Sequence, residues 1–193
     1  MKNLLVLAIL LISFTSFGQN EKSSINVGDK APSFTAKDQN GTIVKSDDIL
    51  ANEQLIVVFY RGQWCPLCNK HLSHLQENVE KFKKAGARLV AISPEIPLSV
   101  DKTIEKTSAE YSILYDANSK IMKEYGVDFV LSEKLQKKYK EYGIDLTVSN
   151  GNDNQMLPVP ATYVIGKNGK VKYVQYDPNY KNRSNAKDIL MHL

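Results

Sequence analysis

Two stretches of this chain are apolar almost without a break: Gln54 to Tyr60 (QLIVVFY) and Ala87 to Ser93 (ARLVAIS). Short, β-branched runs that lack polar alternation predict strands buried on both faces. Between them, Cys68, Leu72, Leu75, Val79 and Phe82 recur at steps of four, three, four and three. That spacing is the apolar stripe of an amphipathic helix. Strand, helix and strand in this order predict a parallel pair joined by a right-handed crossover.

The flanking patterns extend this core. Ser33–Ala36 and Thr42–Val44 sit either side of Asn40-Gly41, a pair that favours a tight hairpin turn. Helices are predicted at Thr103–Tyr111, Ser119–Tyr125 and Glu133–Tyr142, with a short strand at Ile113–Tyr115. Ser132 stands as N-cap of the third helix and Gly143 just past its end. Leu135, Tyr139 and Tyr142 share one face of it, which predicts core packing. Ser149–Gln155 is polar throughout and reads as a surface loop. Ala161–Ile165 and Val171–Tyr176 flank Lys167-Asn168-Gly169-Lys170, an antiparallel hairpin signal, and a helix near Ser184–His192 closes the chain. The sum is an α/β chain with a central mixed sheet flanked by helices and an N-terminal β-hairpin extension, in one domain over residues 25–193.

The first residues follow a different rule. Lys2 precedes an apolar run, Leu4 to Ile12, and then Ser13–Gly18, the layout of a secretory signal. Cleavage is expected between Gly18 and Gln19. The run is shorter than the ~20 residues of a spanning helix, and no cysteine near the cut offers a lipid anchor. The mature protein is therefore expected to be exported, to the periplasm, without stable membrane insertion. The formal charge of +4 falls to about +3 once Lys2 is lost. Lys137, Lys138 and Lys140 read as a solvated helix face. No arginine-rich stripe interleaves with aromatics, so nucleic acid is not an expected partner.

The only two cysteines, Cys65 and Cys68, form one CxxC. A loop this short removes little unfolded-chain entropy, so a purely structural disulfide is a poor use of it. Pro66 suits the first position of a helix, which makes Cys65 the N-cap. There the free N–H groups and the positive end of the helix dipole favour a thiolate. Cys68 heads the apolar stripe and is expected to face the core, with Cys65 at the exposed tip. An accessible low-pKa sulfur backed by a shielded one is what thiol–disulfide exchange requires.

The neighbours allow more than one reading. His71 and His74 continue the series, but their spacing spreads four ligands over about half a helix circumference, so zinc is not expected; both histidines are placed on the helix surface. Arg61, four residues before Cys65, either stabilises a thiolate or faces solvent. Trp64, the one tryptophan, is expected to shield the pair and offer an apolar docking surface, with a core role as the alternative.

Several segments together resemble a known group, the peroxiredoxin-like branch of the thioredoxin superfamily (alkyl hydroperoxide reductase/thiol-specific antioxidant type). They are Gly28–Phe34 (GDKAPSF), Val57–Cys68 (VVFYRGQWCPLC), Tyr115-Asp116, Tyr125-Gly126-Val127 and Val159–Val171 (VPATYVIGKNGKV). The resemblance implies a thioredoxin-like fold and a cis proline at Pro160, packed against the CxxC. It also exposes departures. Laid on the peroxiredoxin pattern Pro-x-x-x-Thr-x-x-Cys, Cys68 takes the peroxidatic position, Cys65 the threonine's and Arg61 the proline's. Pro160 stands where a distant arginine is expected, and Val58 where thioredoxins carry a buried aspartate.

Three functions remain open at this point. The first is dithiol–disulfide exchange, Cys65 attacking and Cys68 resolving, with Trp64, Pro66 and Pro160 positioning the substrate. Its partners are a disulfide-bearing protein or small thiol, and a redox donor or acceptor protein. The second is a thiol-dependent, antioxidant peroxidase in which a hydroperoxide oxidises Cys68 and Cys65 resolves it. The third is a redox-regulated binding module. No metal or organic cofactor is implied by any of them.

Overall fold

The computed structural model describes residues 25–193; the expected signal at residues 1–18 lies outside the described residues. The two apolar runs are β3 (Gln54–Phe59) and β4 (Ala87–Ser93), paired in parallel as predicted. The hairpin β1 (Thr35–Lys37) and β2 (Ile43–Lys45) precedes them as a separate two-stranded sheet, followed by α1 (Ser46–Leu50). The main sheet has the order β5-β4-β3-β8-β9, where β5 is Ser112–Tyr115, β8 Ala161–Ile165 and β9 Val171–Tyr176. β5 adds in parallel to β4, and β8 and β9 add antiparallel on the other side.

Alternation along β3 divides the core into two layers. Ile56, Val58 and Tyr60 face a cluster with Cys65, Cys68, Leu72, Leu75, Phe82 and Ile189. Leu55, Val57 and Phe59 face another with Ile49, Met122, Tyr125 and Tyr163. A strand buried on both sides has no polar face to present, hence the unbroken apolar run. The single helix expected between β3 and β4 is two: α2 (Pro66–Gln76) and α3 (Val79–Lys84). Asn78 interrupts them with φ −115° and ψ 2°, and its Nδ2 donates to the His74 carbonyl at 2.9 Å. All five stripe residues are nevertheless buried.

Other boundaries moved for local reasons. The helix expected at Thr103–Tyr111 is α4 (Pro97–Thr107); Pro97 opens it and Ser108, left-handed at φ +54°, ends it. α5 (Lys120–Glu124) follows a 3₁₀ turn at Ala117–Ser119, and the buried Asp116 carboxylate accepts from the N–H groups of Ile121 and Met122 at 2.9 Å each. Residues 128–158 form a small unit. Antiparallel β6 (Asp128–Val130) and β7 (Met156–Pro158) bracket α6 (Glu133–Glu141) and α7 (Leu146–Asn150). α7 occupies the start of the expected loop because Asp145 caps it, accepting from Thr147 and Val148 N–H. Leu135 and Tyr139 of α6 pack on a third cluster with Leu131, Leu146, Leu157 and Trp64. Tyr142, expected in the core with them, is 69% exposed, because α6 is a surface helix with no fully buried residue. α8 (Ala186–Leu190), capped by Asn185, closes the chain. Among the described residues no helix is long and apolar enough to cross a membrane.

Candidate functional site

The end of β3 runs through Tyr60–Trp64 into α2, and this junction carries the cysteine pair. Cys65 is the N-cap, with extended backbone (φ −94°, ψ 104°), and Pro66 takes the first helical position. Three donors converge on Cys65 Sγ: the Cys68 thiol at 2.6 Å, the Cys68 N–H at 3.3 Å and Arg61 Nη2 at 3.4 Å. The thiol hydrogen bond from Cys68, then the Arg61 charge and hydrogen bond, hold Cys65 down at about 5 against the desolvation that opposes them. Cys68 is pushed well up, because its proton is engaged with Cys65, it is buried, and the Cys65 charge disfavours a second anion. Both cysteines are free thiols.

Cys65 does not sit at an exposed tip. Its relative exposure is 2%, against 1% for Cys68. The cover comes from chain far away in sequence, which helix periodicity does not reveal. Arg61 Nη1 donates to the Tyr139 hydroxyl of α6 at 3.2 Å, and the guanidinium lies 4.3 Å from the Tyr180 ring and 5.6 Å from that of Trp64. Trp64 itself packs edge-on against Tyr139, with ring centroids 5.2 Å apart. Arg61 is thus buried beside the sulfur rather than facing solvent.

Pro160 is in the same region but not in the expected form. Every described peptide bond is trans. Asp128 pairs with Pro158, the Val159 N–H donates to the Val127 carbonyl at 2.7 Å, and β8 begins at Ala161. The chain passes from β7 into β8 through trans peptide bonds. Pro160 lines a cavity of about 420 Å³ with Arg61, Phe129, Tyr139, Tyr142 and Tyr180. The histidines also differ from expectation. His71 is buried, its Nε2 3.3 Å from the Ser184 hydroxyl, which in turn lies 2.8 Å from Thr162 Oγ1. Burial first, then the Arg183 charge, lower its pKa to about 4, so it is neutral at pH 7. His74 stays at the surface and lies 3.4 Å from Glu77.

Two residues near the pair escaped the sequence reading. Glu95, wholly buried just beyond β4, accepts from the Gln63 N–H at 2.9 Å, from Ser149 Oγ at 3.0 Å and from Thr103 Oγ1 at 3.4 Å. It ties the turn before Cys65 to α4 and α7. Its pKa is raised to about 7, by burial above all. A Cβ on Gly62 would meet Glu95 Oε1 at 2.7 Å and Trp64 Nε1 at 2.5 Å, so a side chain there would displace the carboxylate or the indole. A carboxylate directly after a buried strand (Ser93-Pro94-Glu95) was a visible signal. Arg183, whose Nη2 reaches within 4.0 Å of Cys68 Sγ, had none: it lies in an irregular segment 115 residues from its partner.

A CxxC at a buried strand-to-helix junction, on a five-stranded mixed sheet, places the chain in the thioredoxin superfamily. Within it, residues 27–174 match the model of the AhpC/TSA family, and the chain belongs to that family. It is 31% identical over 159 residues to the chloroplastic peroxiredoxin Q of Arabidopsis thaliana, covering 81% of this chain and 63% of that one. Against the chloroplastic peroxiredoxin Q of Populus jackii it is 36% identical over 105 residues, 54% of this chain and 49% of the relative. The chain thus spans between about half and just under two thirds of these curated relatives. Its fold is that of peroxidoxin BcpB from Mycobacterium tuberculosis, with a TM-score of 0.69 at 22% identity, over 87% of this chain and 96% of that structure.

Proposed function

We propose that the chain is a thiol-dependent peroxidase that works through a Cys65–Cys68 disulfide. The Cys65 thiolate attacks the terminal oxygen of a hydroperoxide; the O–O bond breaks, the alkoxide takes a proton and leaves as alcohol, and Cys65 becomes a sulfenic acid. Cys68 then attacks the Cys65 sulfur as a thiolate, the disulfide forms, and hydroxide leaves to become water. A dithiol protein or small thiol reopens the disulfide by exchange, supplying the two electrons.

The observation that carries this reading is the convergence of three donors on a sulfur that is only 2% exposed. A hydroperoxide is small enough for a covered site. Reopening the disulfide, by a small thiol or a dithiol protein, needs in-line access to the same Cys65 sulfur and so requires the cover to move. Membership of the AhpC/TSA family supports the peroxide half. The family register favours a second reading, with Cys68 as the sulfur first oxidised.

Dimedone trapping distinguishes the two. With Cys68→Ser and one equivalent of hydroperoxide, Cys65 should be labelled rapidly near pH 7; with Cys65→Ser, labelling of Cys68 should be slow. The opposite ranking transfers the peroxidatic role to Cys68, and no labelling in either variant removes the peroxide half. The basic start and apolar run of residues 2–12 support export to the periplasm; the N-terminus of the exported protein should then be Gln19.

A further inference from the structure

We propose that Arg183 is a positioning residue for the resolving step: its guanidinium holds Cys68 as a thiolate once Cys65 has lost its charge. This rests on the disulfide cycle above but draws on different contacts. Two guanidinium groups act at the pair: Arg61, 3.4 Å from Cys65 and close enough for its charge to lower Cys68 as well, and Arg183, 4.0 Å from Cys68. Arg183 is otherwise short of partners. Nη1 donates to the Asn182 carbonyl at 3.1 Å, Nε is buried with none, and no carboxylate among the described residues forms an ion pair with it. A partly buried cation with no anion is costly, and here the anion arises at one stage of the cycle.

Arg61 favours a Cys68 thiolate through a backbone hydrogen bond and its charge, and Arg183 is the guanidinium that adds a side-chain contact to that sulfur. On the sheet side Cys68 packs in a cluster with Ile56 and Val58, and Tyr60 in that cluster directs its hydroxyl to Thr103. On its own helix, His71 is one turn away and neutral at pH 7. In the reduced pair, Cys65 carries the charge and Arg61 serves it. When Cys65 becomes a sulfenic acid that charge is gone, and Cys68 must lose its proton to attack. The Cys68 lone pair then forms the S–S bond as hydroxide leaves Cys65. On reduction, an external thiolate attacks Cys65 and expels Cys68, again as a thiolate beside Arg183.

The test separates this inference from the peroxide reading. In the full chain carrying Cys65→Ala, Cys68 is the only thiol, and its ionisation is followed by thiolate absorbance near 240 nm. Adding Arg183→Gln should raise the midpoint by roughly one pH unit, the low end for loss of an opposite charge within ~4–6 Å, and Arg183→Lys should recover most of that shift. A midpoint that Gln leaves unmoved, or one that Lys moves as far as Gln does, overturns the proposal, since a structural role does not distinguish the two by charge. With both cysteines present and one equivalent of hydrogen peroxide, Arg183→Gln should lengthen the life of the Cys65 sulfenic acid about three- to fourfold, the tenfold thiolate lost per pH unit being partly offset by the greater nucleophilicity of the more basic sulfur, without slowing its formation. If wild-type protein forms no sulfenic acid, the peroxide reading fails, while the titration still decides the role of Arg183.

Discussion

Glu95→Gln replaces the buried carboxylate by an amide of the same shape and leaves an oxygen able to accept from Gln63. In the folded protein the carboxyl holds its proton up to about pH 7, against an ordinary value of 4.5. Between those values the folded chain keeps a proton that the unfolded chain has released. Stability therefore falls as pH rises through this window and levels off above it. The two midpoints differ by about 2.5 pH units, and integrating between pH 5 and pH 8 gives a loss of about 2.5 kcal/mol from this one group. Glutamine does not titrate, so the variant should gain about that much on the wild type between the two pH values. Cys65 and His71 titrate in both proteins and cancel in the comparison. Urea unfolding of reduced wild type and variant at pH 5 and pH 8 measures the difference. A stability gap that is the same at both pH values would refute the reasoning, because Glu95 would then ionise no differently folded than unfolded.

Other outcomes follow from the same geometry. Arg61→Met keeps much of the apolar stem but removes a charge and a hydrogen bond from Cys65; its thiolate midpoint should rise from about 5 by at least roughly one unit, and an unchanged 240 nm titration would discount the guanidinium. In the wild type, alkylation of Cys65 by iodoacetamide should climb through pH 5 and be nearly flat from pH 6 to 8; a climb centred near pH 8.5, the value of a free thiol, contradicts the three-donor arrangement. Gly62→Ala pushes a methyl against Glu95 and Trp64 and should cost about 1–3 kcal/mol in denaturant unfolding, whereas Gly41→Ala, with open space around its Cβ, carries only the backbone strain of its left-handed φ.

The parts of the fold legible in the sequence are those in which one physical rule acts alone. β3 and β4 announce themselves because strands covered on both faces tolerate no polar residue, and the β8–β9 hairpin because Asn168-Gly169 between two strand-forming runs fits a tight reversal. α2 was legible from both ends: Pro66 fixes its start and the four–three spacing its buried face. Where two influences compete, the reading slipped. Pro97 had more weight in placing α4 than the apolar pattern from Thr103, and Asn78 split a stripe whose spacing ran on unbroken. β6 and β7 are three residues each and pair across the 128–158 unit, too short to carry a period.

The site divides along the same line. Sequence alone determined that Cys65 caps a helix opened by Pro66 and that Cys68 lies beneath it, because N-cap geometry and helix periodicity act over a few residues. It determined too that the pair stands at the end of a buried strand. Tertiary structure decided what surrounds the sulfurs: Arg61 held by Tyr139 and Tyr180 over Cys65, Arg183 beside Cys68, Glu95 under the Gly62–Gln63 turn, and a trans Pro160 in the adjoining cavity. Those contacts join segments up to more than a hundred positions apart. A charge-to-sulfur distance depends on how such segments pack, and no local pattern of residues encodes it.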